Sequence, residues 1–234
     1  MLALAIAVSA TPAAKAAVGY EVFSQGRNKY HVVTANMASN SISAGMAYNK
    51  GPASIWDLVK KDKPLAALTG TFFHMRTHRP VADVLVDGNI VAKGFRGSAV
   101  GVDWYGAVQI FDTKFSEKTD WGNFRYGLRG AVRILTDGVV CPNPKAQKFR
   151  DSRLWGRAAR TAIGTTKHGK VLLVATKSSV TLSELAKALK ANGATNAVSL
   201  DGGGSTCLYY KGSLVVPPNR KLNNLFVIYG KPPY

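Results

Sequence analysis

The segment Asp201-Gly202-Gly203-Gly204-Ser205-Thr206 brings together an acid, three glycines and two hydroxyls. Without Cβ atoms a glycine backbone approaches a ligand closely and can turn several N–H groups toward one point, which is how main chain holds an anion. The Ser205 and Thr206 hydroxyls add donors. Asp201 can orient a sugar hydroxyl or a water, or act as general acid or base. The segment lies between two apolar runs, Ala197-Val-Ser-Leu200 and Cys207-Leu-Tyr-Tyr210, where a flexible linker has no place. It is not a P-loop, a dinucleotide fingerprint or a GxSxG elbow, because the spacings those motifs require do not occur here. Ser205 could serve as a nucleophile, but no particular histidine is tied to it by the sequence.

His74 and His78 stand four residues apart. On a helix they would share a face and, with Asp83, could hold a divalent metal. Pro80 and the strand-like Phe72-Phe73 pair argue against that helix. His74 is therefore read as a substrate contact, and no cofactor is expected. Asp151 and Asp83 are lesser candidates for an acid, while Asp87 and Asp137 suit turns. The chain has only three glutamates, Glu21, Glu117 and Glu184, which leaves chemistry built on a Glu pair almost nowhere to sit.

The elements that must position these groups are mostly short strands. Asp87-Gly88, Tyr105-Gly106, Asp137-Gly138, His168-Gly169 and Lys211-Gly212 each separate two apolar stretches, the pattern of a tight hairpin. Two helices are predicted. Ser54 caps Ile55 to Lys61, and Thr181-Leu-Ser-Glu184 forms a capping box opening Leu182 to Ala191, with Gly193 as a stop. The expected fold is a single α+β domain, a mostly antiparallel hairpin-built sheet with a few flanking helices.

The chain has 234 residues, 46% of them apolar, enough for one sizeable core. Leu2 to Val8 is a short apolar run and Ala14-Lys15-Ala16 fits a small-x-small cleavage site, so residues 1–16 read as an export signal and 17–234 as the domain. No run is long enough to span a membrane once that segment is removed. A secreted, periplasmic or cell-envelope location follows, where Cys141 and Cys207 could be bridged or could stay as buried thiols. The 31 Lys and Arg against 13 Asp and Glu give a net charge of +18 and favour polyanionic partners. Nucleic acid is not expected, since no aromatic–basic recognition module appears.

Several segments resemble the phosphodiester glycosidase family. Val198-Ser-Leu-Asp-Gly-Gly-Gly-Ser-Thr206 is similar to its glycine-loop signature, and Arg160-Thr-Ala-Ile-Gly164 to its R-x-A-[IV]-G strand. The capping-box helix and Gly193-Ala-Thr-Asn-Ala197 resemble its approach to the loop. Thr69-Gly-Thr-Phe-Phe73 resembles an N-G-G-F-F block, with Thr69 in place of the Asn and Thr71 in place of the second Gly. These blocks span roughly residues 30 to 230.

The resemblance implies an exported hydrolase that cleaves a sugar-1-phosphodiester at the anomeric carbon, releasing free sugar and a phosphomonoester. Residues and resemblance together give Asp201, Arg160 and His74 as the candidate catalytic set, and Gly202, Gly203, Gly204, Ser205, Thr206, Thr69 and Gly70 as candidate substrate or phosphate contacts. Arginine suits the phosphate because its planar fork can bind two oxygens. A departing phosphate needs little help from a strong acid, in keeping with the acid-poor composition. The competing reading is a non-catalytic module that binds anionic glycopolymers of the cell envelope through its basic surface.

Overall fold

A computed structural model of the chain describes residues 16–230. The proposed export segment lies outside the described residues except for Ala16. All five X-Gly pairs join consecutive strands. At Asp87-Gly88, Asp137-Gly138 and Lys211-Gly212 both residues have positive φ, the backbone whose twist matches that of the paired strands. Every pairing between strands is antiparallel.

The strands divide into two sheets, of eleven and five strands. In the large sheet Ala194–Ser199 lies between Ala158–Thr166 and Phe124–Thr136. In the small sheet Leu222–Tyr229 lies between Ser43–Ala53 and Ala66–Thr69, and Leu208–Tyr210 pairs with the other edge of Ala66–Thr69. Alternation sorts the side chains. Leu68, Phe226 and Ile228 face the large sheet, with Ile163, Leu173 and Val198 opposite them. Ala67, Leu225 and Val227 face away, under the helix α1 (Ile55–Lys60). The outer face of the large sheet is covered by α2 (Leu182–Ala191), which lays Leu182, Leu185 and Leu189 on Val132, Ala162 and Leu172.

The fold is therefore a two-sheet sandwich with one helix on each outer face, more dominated by sheet than a few flanking helices implies. Both helices open on capping boxes, at Ser54–Asp57 and Thr181–Glu184. The first ends one residue short of expectation, with Lys61 as its C-cap.

The two cysteines are not bridged. Cys141 follows Val139–Val140, with its Sγ 3.3 Å from Thr136 Oγ1, whereas Cys207 is fully buried in the cluster under α1. Burial pushes the Cys207 thiol up to about 12. A thiol reagent at pH 8 is thus expected to label Cys141 in the native protein and Cys207 only after denaturation. Equal labelling of both under native conditions would contradict this placement.

Candidate active site

The strand Ala194–Ser199 carries the chain to Asp201, whose backbone is tied on both sides. Leu200 N donates to Thr161 O (3.0 Å), Asp201 N to Gly70 O (3.1 Å), and Thr161 Oγ1 to Asp201 O (2.7 Å). The Gly-Gly-Gly run is therefore ordered by its neighbours. A Cβ on Gly202 would lie 2.7 Å from Ala159 O, and one on Gly204 would lie 2.5 Å from Arg220 Nη2. Gly203–Ser205 forms a single 3-10 turn, whose first amides have no partner within the turn. The loop thus presents main-chain donors beside a carboxyl, with the Arg220 guanidinium packed directly on Gly204.

Burial pushes the Asp201 carboxyl up to about 6. The Ser205 hydroxyl, the Arg220 charge, the Gly202 amide and the Arg153 charge all pull the other way, so withdrawal from water outweighs them. Its conjugate base is then a stronger proton acceptor than an ordinary aspartate, still mostly ionised at neutral pH.

Asp201 and the three glycines line an open cleft of about 970 Å³. Arg96, Arg153, Arg157, Arg160 and Arg220 share that lining with Asp151 and Asp201, so cations outnumber carboxylates. The Asp151 carboxylate is held by Arg153 (Nη2–Oδ2 2.6 Å), which keeps it below the usual carboxylate range. Arg157 reaches Glu184 (3.0 Å). Among the described residues no ion pair closes on Asp201. Such a cleft attracts an anion and offers it one basic carboxylate.

The expected site residues separate into two groups. His74 lines the cleft, in a turn closed by His78 N donating to His74 O (2.7 Å). His78 has φ 53° and stacks its ring on Phe73, so the four-residue spacing belongs to a turn and not to a helix. Thr69, Ser205 and Thr206 are fully or almost fully buried, and none of the three forms part of the cleft surface. Thr69 Oγ1 donates instead to Ser205 O (2.5 Å), tying the 69–73 block to the glycine loop. Gly70 supplies the carbonyl under Asp201 N. These residues set the loop's position, and direct contact with a substrate is not open to their side chains. Asp83 is also spent internally: its oxygens accept from Gly94 N (2.8 Å) and Trp121 Nε1 (3.0 Å).

Arg160 is at the cleft wall, yet much of its guanidinium already holds main chain. Nη2 donates to the carbonyls of Gly156 (2.6 Å), Arg153 and Leu154 (3.2 Å each), and Nε to Val180 O (3.4 Å). The side chain therefore clamps the loop that carries Arg153 and Arg157. Arg160→Lys keeps the charge but cannot span those carbonyls, so it should cost about 2 kcal/mol and about tenfold in kcat/KM. A clamp also predicts faster proteolysis within 152–157 in the absence of substrate. Unchanged melting and proteolysis with lost activity would mean that Arg160 acts only on the ligand.

Two features escaped sequence reading. No motif or spacing singles out Arg220 or Arg153. Asn223 and Asn224, buried within the strand Leu222–Tyr229, grip the 70–78 segment: Asn224 Oδ1 accepts from Thr71 N (2.7 Å), and Asn223 Nδ2 donates to His78 O. A pair of amides inside an otherwise apolar strand was the available signal.

Known proteins share the fold and the sequence pattern of this chain. The chain is 25% identical over 193 residues to mouse N-acetylglucosamine-1-phosphodiester alpha-N-acetylglucosaminidase, covering 75% of this chain and 37% of that protein. The bovine protein of the same name is 25% identical over 192 residues, covering 75% of this chain and 36% of that protein. The chain thus spans just over a third of the length of these relatives. Among solved structures, a hypothetical protein from Synechocystis superposes with a TM-score of 0.79 at 15% identity, covering 90% of this chain and 61% of that one. The zebrafish N-acetylglucosamine-1-phosphodiester alpha-N-acetylglucosaminidase catalytic domain, auto-inhibited by pro-peptide, superposes with a TM-score of 0.75 at 20% identity, covering 93% of this chain and 85% of that one. These two likenesses establish the fold. The sequence model described as phosphodiester glycosidase matches residues 62–229, a stretch that holds the 69–73 block, Arg160, the glycine loop and Arg220, and so the chain belongs to the phosphodiester glycosidase family.

Proposed function

We propose that this protein is an exported glycosidase that hydrolyses a sugar-1-phosphodiester at the glycosidic bond. The observation that carries the reading is one basic carboxylate, Asp201, set beside a glycine turn in an arginine-lined cleft. Family membership and the names of the relatives favour a sugar–phosphate substrate.

In this reading Arg220, Arg153 and the glycine-loop amides hold the phosphate. The bond from the anomeric carbon to the phosphate oxygen breaks, and its electron pair leaves on that oxygen. Charge grows there as the bond lengthens, where fixed donors stabilise it without reorganisation. A phosphate monoester is a far better leaving group than an alcohol, so no strong acid has to protonate it. Water supplies the new oxygen at the anomeric carbon, and Asp201 takes its proton. His74, on the same cleft, is placed as a contact to the sugar.

The test is incubation of the protein with a panel of sugar-1-phosphodiesters, including N-acetylglucosamine, with free reducing sugar as the readout. Release from at least one member supports the assignment. Binding without release from any would favour the glycopolymer-binding reading.

Export is part of the same proposal. Ala17 O accepts from Asn36 N (2.8 Å), and the first described strand begins at Val18, so cleavage after Ala16 would leave these contacts whole. Mass analysis of exported material is expected to give Ala17 as the first residue. Retention of residues 1–16 would refute it.

A further inference from the structure

We propose that the cleft contains a second phosphate site, built on Arg96, and that the substrate is a glycosyl-phosphate oligomer or polymer with phosphates on both sides of the scissile sugar. The inference rests on the glycosidase reading of the same cleft and extends it from a reaction to a substrate class.

No polar partner among the described residues holds the Arg96 guanidinium. Among the described residues it forms no ion pair, and its Nε is buried without a hydrogen-bond partner. That contrasts with Arg160 and the fully buried Arg129, whose guanidinium donors are spent on main-chain carbonyls. The acids near it in the chain are engaged elsewhere: Asp103 with the Tyr105 and Ala107 amides, Asp87 with Arg125, Asp83 with Gly94 and Trp121, Asp112 with Arg133, Glu117 with Lys114. A buried donor left unpaired is costly unless a ligand completes it.

The position of Arg96 is nevertheless fixed. Its guanidinium carbon lies 5.6 Å from the centre of the Phe115 ring. Arg129, at 0% exposure, donates to Lys114 O and Glu117 O (2.7 Å each), pinning the loop on both sides of Phe115. Ser116 N donates to Phe95 O (3.0 Å), joining that loop to the segment carrying Arg96. Phe95 and Phe115 stay 44% and 49% exposed although they line the cleft. Rigid aromatic faces beside an unpaired guanidinium suit a sugar ring followed by a phosphate, the ring packing on the aromatic and the anion on the cation.

The Arg153–Arg220 side already serves the scissile phosphate next to Asp201. A substrate with one phosphate leaves Arg96 unused, whereas a repeating glycosyl phosphate places its next anion one sugar farther along.

Two synthetic compounds decide the matter: methyl N-acetylglucosaminyl phosphate, with one phosphate, and a two-repeat N-acetylglucosaminyl phosphate oligomer, with two. The wild-type protein is expected to show about tenfold or higher kcat/KM on the two-phosphate compound. Arg96→Met should erase that preference through KM, and Arg96→Lys should restore part of it, with melting temperatures confirming that both variants fold. Equal kcat/KM on the two compounds, or a loss in Arg96→Met that is the same for both, overturns the second site and leaves the glycosidase reading standing. If neither compound is hydrolysed, the glycosidase reading falls, and equilibrium titration of the same compounds decides the site. Tighter binding of the two-phosphate compound, lost in Arg96→Met, upholds it; equal affinities overturn it.

Discussion

Asp201→Asn is expected to lower kcat by at least ~100-fold while leaving the circular dichroism spectrum unchanged, the scale of lost proton-transfer help. The amide keeps the shape and removes the basic site. Since the ionised carboxylate is the working form, kcat/KM of the unaltered protein should rise with pH through about 6 and then level off. Stability gives an independent check of sign. Burial raises this carboxyl above its ordinary value, so its charge opposes folding once ionised. Both folded and unfolded chains carry the proton below the ordinary aspartate range, and the cost develops as pH rises through about 6. At pH 7.5 Asp201→Asn should therefore be more stable than the parent, by up to about 3 kcal/mol, with the difference gone near pH 3.5. A variant that melts higher and turns over more slowly cannot be explained by misfolding. Near-parental turnover would remove Asp201 from the chemistry and make His74 the next residue to change.

The second large effect is structural. A Cβ at Gly70 would lie 1.9 Å from Asn224 Oδ1 and 3.2 Å from Asn224 O. The amide cannot swing away freely, because its Oδ1 accepts from Thr71 N and its Nδ2 donates to Thr71 O (3.2 Å) and Asn223 Oδ1 (2.6 Å). Gly70→Ala must break this set or push the 69–71 segment off the strand Leu222–Tyr229. Overpacking and the lost bonds together should cost at least about 3 kcal/mol, or about 6–12 °C in melting temperature. Because Gly70 O also holds Asp201 N, activity should fall further than the residual folded fraction explains. Gly70→Ala melting within about 2 °C of the parent would show that the segment yields more easily than its packing suggests.

Local signals in the sequence were sufficient where the physics is local. The five X-Gly turns specify their hairpins because each depends on a glycine at positive φ, joined in three of them by a positive φ at the residue before it. The Thr181–Glu184 capping box likewise marks the first turn of α2 on its own. The division into two sheets is of another kind. Whether a hairpin joins the large or the small sheet depends on pairings far apart in sequence, such as Phe226 with Leu68, and alternation alone does not choose among apolar partners. The same limit explains the arginines. Arg160 and Arg96 carry the same guanidinium, yet one is spent on carbonyls and the other is left with an unpaired Nε. The difference lies in which main chain folds back onto each. Asp201 could be singled out because glycines and an acid at the end of a strand are unusual together. Arg220 could not, since only the fold brings it onto Gly204.

The placement of Leu222–Tyr229 inside the small sheet, between Ser43–Ala53 and Ala66–Thr69, bears on the order of assembly. During synthesis these two strands emerge first and must wait for a partner more than 150 residues behind them. Until then the small sheet has a gap, and the 70–78 segment lacks the Asn223–Asn224 grip. Sheet-to-sheet packing, and with it the cleft, is thus a late event, reached after a search for distant contacts that is intrinsically slow. A truncation before residue 222 should yield a chain with hairpins and α2 but no completed sandwich. The nascent domain stays open until that strand arrives.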